Sequence, residues 1–278
     1  TPMPIVTLMT DFGNKDYAVA AVKGAILSTV EKPEIIDISH VIAPYNPTQA
    51  AYVLKNAYRT FPKGSIHIIG VASEKTPETQ HLAMQFDGHY FIGADNGIFS
   101  MITGDLKYDK MVAINIHDNM PATYPVLEVF VWVAAHLSRN GTLEVVGQPV
   151  NKIKELKELR PVVNPKGDQI LGAVIYVDNY GNVITNITRK IFREVGKSRS
   201  FTIFARNVKF KKVYETYSEA IDFSIPKEKR EEDGKKIALF NDADHLELAI
   251  YKSNPQTVGS AQSLFGLEYR ETITVKFD

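Results

Sequence analysis

The sequence contains no cysteine, which excludes disulfides, thiolate nucleophiles and cysteine-ligated metals. It has no excess of either charge. Lys+Arg and Asp+Glu are both 32, so the formal net charge is zero and the basic footprint of a nucleic-acid-binding chain is missing at the whole-chain level. No apolar run approaches the roughly 20 residues that cross a bilayer. The first residues lack the charged-then-apolar pattern of an export signal. The expected compartment is the cytoplasm, with neither nucleic acid nor membrane as a partner. Also missing are HExxH or comparable histidine spacing, GxxxxGK[ST], GxGxxG and GxSxG. Metal sites, nucleotide-phosphate cradles and serine-based hydrolysis therefore have no motif support, and no metal is expected.

What remains is a chain with 44% hydrophobic and 23% charged residues, enough apolar material for a real core. Its 278 residues suit one large domain or two ordinary ones. The first half alternates strand and helix signals: strands at 4–9, 34–38 and 65–71, helices at 17–30 and 47–61. Strands at 82–86 and 89–92 flank Asp87-Gly88, a hairpin signal, and 126–137 reads as an apolar, buried helix. This alternation predicts an α/β domain over 1–155 with a substantially parallel sheet. A charged, proline-containing linker over 156–168 follows. Strand signals dominate 169–278, among them 272–277 with Ile273, Val275 and Phe277 on one face, predicting an all-β barrel. Arg206, Lys209, Lys211 and Lys212 interleave with Val208 and Phe210. They read either as the solvent face of a strand or as a local basic patch.

Three loop segments gather groups able to hold a small polar ligand. Thr10-Asp11-Phe12-Gly13-Asn14-Lys15-Asp16 follows a strand, where ligands collect in α/β sheets. A carboxylate there can accept hydrogen bonds from a vicinal diol such as ribose, or simply cap the turn. Asp95-Asn96-Gly97 reads as a tight turn. The segment from Asp178 to Ile187 brings a carboxylate, an aromatic ring and several amides together. Such a set suits adenine and an ammonium group, and equally a hairpin loop. His136, within Ala134-Ala135-His136-Leu137, reads as a hydrogen-bonded core histidine.

In order along the chain, these segments resemble the S-adenosylmethionine (SAM) hydroxide adenosyltransferase family and its relatives, the SAM fluorinase and chlorinase. The resemblance runs through Thr10-Asp11-Phe12-Gly13, Lys23-Gly24, Asp37-Ile38-Ser39-His40 with Pro44-Tyr45, and Gly93-Ala94-Asp95-Asn96-Gly97. It continues through Ala134-Ala135-His136-Leu137, Val146-Gly147, the segment 178–187, and Asn241 followed by Leu246-Glu247-Leu248-Ala249. It implies an N-terminal α/β domain, a C-terminal β-barrel and a homotrimer whose active site lies between the N-domain of one subunit and the C-domain of the next. SAM is then substrate or ligand, with no separate cofactor. The implied chemistry is displacement at the 5′ carbon with methionine leaving; water yields adenosine and halide yields the 5′-halo nucleoside.

Carried over by position, Asp11 matches the ribose-binding aspartate, and Tyr45 stands where the halogenases have a tryptophan. Asp16 matches a residue near the methionine end, and Asp178 the aspartate that holds the ammonium. Tyr180 replaces a phenylalanine against adenine, Asn182 matches the asparagine at the adenine edge, and Thr76 and Tyr124 complete the expected substrate contacts. Asn241 and Asp242 match an Asn-Ser pair, and the acidic Asp242 is a departure, because the methionine carboxylate binds nearby and like charges repel.

The larger departure is catalytic. The family's hydrolases hold water with an Asp-Arg-His triad drawn from segments resembling V-D-P-G-V-G-T-x-R and T-F-H-G-R-D. An ungapped match anchored on Val71 puts Ala72, Thr79 and Pro125 at those positions. The halogenase pattern is not restored either, since its tyrosine and serine positions hold Ala72 and Val126. In a register shifted by two, Glu74 and His81, with Ser73 beside them, become the candidate catalytic residues, a carboxylate and an imidazole able to polarise water. The alternatives are a pocket that binds an adenosyl ligand with little or no hydrolysis, or one that uses a different nucleophile.

Overall fold

The computed structural model describes residues 3–116, 118, 123–156 and 160–278. The chain divides into two compact units, Thr1–Leu156 and Lys157–Asp278.

The first unit is built on strands β1 (Ile5–Thr10), β2 (Glu34–Ser39), β3 (Ile66–Gly70), β4 (His81–Phe86), β5 (His89–Ala94), β6 (Lys110–Ile114) and β7 (Gly147–Pro149), with order β2-β1-β3-β5-β4-β6-β7. The sheet is mixed. Pairings β1 with β2, β1 with β3 and β3 with β5 are parallel, and the rest are antiparallel. Parallel character stops where Asp87 (φ 51°) and Gly88 (φ 75°) turn β4 directly into β5, because a two-residue hairpin with both residues left-handed reverses the chain.

Helices α1 (Ala18–Thr29), α2 (Pro47–Tyr58), α3 (Ile98–Thr103), α4 (Val131–Ser138) and α5 (Leu143–Val146) complete the unit. A π-helical turn, Val126–Phe130, leads into α4. Central strands are buried on both faces, as parallel strands between helices must be. Leu8, Ile68 and Ile92 pack with Val22 and Ile26 of α1 and with α4. Their neighbours Met9, Ile69 and Phe91 pack with Leu54 and Tyr58 of α2 and with α3. Asn46 caps α2 through its side chain, which accepts from the Gln49 N–H at 3.0 Å, and Pro47 occupies the first turn, where its missing N–H costs nothing.

The second unit contains β8 (Val162–Val163), β9 (Gln169–Val177), β10 (Val183–Thr188), α6 (Arg189–Gly196), β11 (Phe201–Ala205), β12 (Val208–Phe210), β13 (Lys236–Phe240), β14 (His245–Ile250), α7 (Ala261–Phe265) and β15 (Thr272–Phe277). Its strand order is β12-β11-β15-β9-β10-β14-β13, with β8 on β9 and every strand pairing antiparallel. β8 thus pairs within the segment read from sequence as linker. The alternation in β15 holds, with Ile273, Val275 and Phe277 all buried. The sheet is barrel-like and nearly closed. Beyond β12, the Tyr214 N–H reaches the Ala238 carbonyl at 2.8 Å, and a single parallel bridge, Tyr214 to Leu239, spans the seam. Among the described residues, no helix is long and apolar enough to cross a membrane.

Candidate functional site

Asp11 sits one residue past β1, at the carboxyl end of the parallel strands. Its Oδ2 accepts two backbone hydrogen bonds, from Tyr45 N–H at 3.0 Å and Ala72 N–H at 3.1 Å. Both donors hold left-handed backbone, φ 57° and 44°, which costs a non-glycine residue energy and persists only where the surroundings over-determine it. Its other oxygen, Oδ1, has no hydrogen bond among the described residues and is free to accept one from a ligand. Asp11, Phe12, Pro44, Tyr45, Ala72, Ser73, Glu74, Lys75, Thr123, Tyr124 and Pro125 enclose a cavity of about 700 Å³. Phe12 and Tyr124 stack with centroids 5.7 Å apart, giving it an aromatic wall. The start of the π-helical turn is tied down by Glu128, which accepts from the Tyr124 N–H at 3.2 Å.

A polar chain lies beneath Asp11. The Thr10 hydroxyl meets His40 Nδ1 at 2.7 Å, His40 Nε2 meets Asp37 at 2.7 Å, and Lys23 donates to the other Asp37 oxygen at 2.7 Å. Burial opposes ionisation of Asp37, but the hydrogen bonds from Lys23 and His40 outweigh it and hold the carboxyl below its ordinary range. With Nε2–H donating to Asp37, Nδ1 accepts from Thr10, whose oxygen in turn accepts the Phe12 N–H at 3.3 Å. That assignment satisfies every member. These residues carry the resemblance in sequence, and their geometry fixes the Asp11 loop.

In the second unit, Asp178 follows β9. Its Oδ1 accepts from the Tyr180 and Asn182 N–H groups, both at 2.9 Å, an Asx turn completed by Gly181 at φ 75°. A Cβ on Gly181 would lie 2.2 Å from that of Ser260, so no other residue fits. Burial raises the Asp178 pKa against these hydrogen bonds. Tyr180, Asn182, Tyr217, Ile250, Tyr251, Lys252 and Ser253 line a cavity of about 310 Å³. Asn182 is 6% exposed and its Oδ1 is buried without a partner. A lone buried acceptor is costly, and a ligand N–H donor would satisfy it.

Glu247 is also buried here, 3% exposed. It accepts from the Tyr217 hydroxyl, and from Asn241 Nδ2 at 3.4 Å. Burial pushes the Glu247 carboxyl up, and nearby Asp178 and Asp242 add to this against the two hydrogen bonds. Burial and Glu247 likewise raise the Tyr217 phenol. This part of the unit concentrates negative charge and suits a cationic group. Among the described residues no group of three or more potential metal-ligating side chains is present.

Residues 6–147 match the family described as the SAM hydroxide adenosyltransferase N-terminal domain, and residues 172–274 the one described as its C-terminal domain. The chain belongs to the SAM hydroxide adenosyltransferase family. It is 28% identical to the (R)-S-adenosyl-L-methionine hydrolase of Methanocaldococcus jannaschii, over 98% of this chain and 96% of that protein. It is 26% identical to the hydrolase of that name from Thermus thermophilus, over 95% and 96%. With the fluorinase of Actinopolyspora mzabensis it shares 24% identity over 69% of this chain and 74% of that protein. A crystal structure of an uncharacterized conserved protein from Thermotoga maritima superposes with TM-score 0.79 at 25% identity, covering 98% of this chain and 99% of that one.

Against the family pattern, the structure brings Asp11, Tyr45, Ser73, Glu74 and Tyr124 to one cavity, and Tyr180 and Asn182 to another. Asp178 adjoins the second through its turn. Asp16 is exposed and off the cavity wall. Thr76 is exposed in a tight turn bridged to Thr79. The Asn241 side chain accepts from Ala243 and His245 N–H groups, shaping the β13–β14 turn that leaves Asp242 exposed.

Among the described residues, no hydrogen bond or ion pair joins His81 to Glu74. His81 opens β4, 2% exposed, with Nε2–H donating to the Ser73 carbonyl at 2.8 Å and its ring edge-on to Phe130 at 4.8 Å. Burial lowers its pKa to about 4. The expected pairing is therefore corrected: an imidazole sealed in the sheet, its Nε2 proton committed to a backbone carbonyl, orients the Ser73 loop instead of meeting water with Glu74. Of the substituted triad positions, Ala72 and Pro125 line the cavity and Thr79 does not. His136 is half-buried and donates from Nε2 to the Thr142 carbonyl at 2.8 Å.

Sequence reasoning missed Glu247 and Lys75. Lys75 lines the first cavity and pairs with Asp118 at 3.3 Å. The available signal for Glu247 was a single carboxylate inside the apolar run Leu246–Ile250.

Proposed function

We propose that this protein binds SAM and hydrolyses it to adenosine and L-methionine, in a homotrimer as the family resemblance implies. The observation that carries the reading is the half-committed Asp11. One oxygen is fixed by two backbone N–H groups and the other is open toward a cavity of nucleoside size. In this reading Asp11 takes the ribose hydroxyls. Asn182 takes an adenine N–H through its unsatisfied oxygen, with Tyr180 against the ring. The carboxylates around Asp178 and Glu247 take the ammonium end.

In the reaction, a water oxygen attacks the ribose C5′ and the C5′–sulfur bond breaks, its electron pair leaving on sulfur. The positive sulfonium thereby becomes the neutral thioether of methionine, so no acid is needed to protonate the leaving group. The attacking water loses one proton. Glu74, on the cavity wall, is the group proposed to accept it and pass it to solvent. The remaining acceleration comes from alignment and from drying the nucleophile.

Incubation with SAM followed by chromatography tests this directly. Adenosine and methionine should appear in equal amounts, and Glu74→Gln should slow their formation. Asp178→Ala should weaken SAM more than adenosine; equal weakening of both would remove Asp178 from the ammonium site. Ala72 and Pro125 at the triad positions favour a second reading, an adenosyl-ligand binder. Tight SAM binding without products would establish it. Sedimentation equilibrium checks the trimer.

A further inference from the structure

The seam of the second unit carries a charge pattern that the adenosyl reading leaves unused. β12 and β13 are the two ends of the strand order. Between and beside them lies a cleft of about 700 Å³ lined by Lys209, Lys211 and Lys212 from one edge and Lys235 and Lys236 from the other, against only Glu231 and Asp233. Among the described residues, no carboxylate pairs with any of the five ammonium groups. Three of them are held by other means. Lys236 Nζ donates to the Lys209 carbonyl at 2.5 Å and lies over the Phe210 ring at 5.3 Å. Lys209 lies over Phe204 at 5.5 Å and Lys212 over Tyr214 at 4.8 Å.

Alternation along β12 explains the placement. Phe210 turns into the core, and Lys209 turns out. Unneutralised like charges facing each other across an open seam repel, and a compact anion seated between them relieves that repulsion.

We propose that this seam is an anion site for a polyphosphate chain, either free or as the tail of a nucleotide. Phosphate packs several charges and many acceptor oxygens into a small volume, which suits convergent lysines acting as point charges. An acidic peptide or a nucleic-acid strand spreads its charge along a length. Here the cleft is short, and Glu231 and Asp233 on its lining oppose a longer anion.

The test is calorimetric titration of the full chain with inorganic triphosphate at low salt. Cytidine triphosphate serves as the second arm, because it lacks the adenine that the Asn182 cavity is proposed to take; saturating adenosine is included to occupy the ribose site at Asp11. One triphosphate per chain is expected, weakening as salt screens the lysines. The variant Lys211→Gln/Lys212→Gln/Lys235→Gln should bind about tenfold more weakly, with SAM turnover unchanged. Equal affinity for both probes assigns the free chain, and tighter cytidine triphosphate assigns a nucleotide. Absence of triphosphate binding, undiminished binding in the variant, or preference for single-stranded RNA or an acidic peptide over both probes would overturn the proposal. Because these lysines line neither adenosyl cavity, loss of SAM activity and loss of triphosphate binding are separately readable.

Discussion

At the scale of single residues, Asp11 and Asp242 make opposite predictions. Asp11→Asn keeps the shape and one acceptor oxygen but removes the charge. It should cost about 1.5–3 kcal/mol of adenosine affinity, the usual worth of a hydrogen bond to an ionised group, measured by calorimetry. Asp242 is an exposed acid at a position where the family resemblance implies a serine. Asp242→Ser should tighten SAM, whose amino-acid end bears a carboxylate, and leave adenosine unchanged; parallel titrations of the two ligands decide it. Asp11 was legible because a carboxylate just past a buried strand and before a helix has few places to go. Glu247 was not, since its partner Tyr217 lies 30 positions away. His81 was misread by one residue. With the strand expected to begin at Leu82, His81 belonged to a loop; paired with Ala94, it belongs to the sheet and points inside.

At the scale of elements, a buried histidine chain crosses the central strands. Thr7 meets His67 at 2.6 Å, and His67 meets His89 at 3.0 Å; His89 Nε2 is left unpartnered among the described residues. Burial lowers the His67 pKa to about 3, with His89 adding to the effect, and lowers His81 to about 4. These groups stay neutral in the fold where the unfolded chain would already take up protons. Stability is therefore fully present above about pH 6.5. It falls by about 1.4 kcal/mol per pH unit for each such histidine until its own folded value is reached. Urea titrations between pH 7 and pH 4 should show a falling midpoint, shallower in His67→Gln. Strand and helix positions were readable in sequence from apolar spacing. The antiparallel turn in the first sheet was readable too, from Asp87-Gly88, but the antiparallel β6 and β7 and the π-helical turn before α4 were not, because they depend on what packs across the sheet.

At the scale of the whole chain, saturation with ligand should be visible as stability. SAM present at 100 times its dissociation constant adds about 2.7 kcal/mol to whatever unit binds it, seen as an upward shift in thermal denaturation. A non-binding chain would show no shift. The division into an α/β part and a β part followed from the change in patterning near the middle of the sequence. The barrel-like character of the second unit followed from its short strands and frequent turns; the place of the seam, spanned by one bridge at Tyr214, did not, because no periodicity marks it.

The two left-handed residues clasped by Asp11 bear on how such a protein can change. The atom that fastens both loops belongs to the same carboxylate that lines the cavity and is proposed to hold the ribose. A truncation there would slacken the walls together with the floor, and the resulting loss would describe architecture as much as recognition. Exchanges at this position are accordingly confined to those that preserve an acceptor in place, while the exposed Lys75 on the rim is at liberty to vary around a fixed anchor.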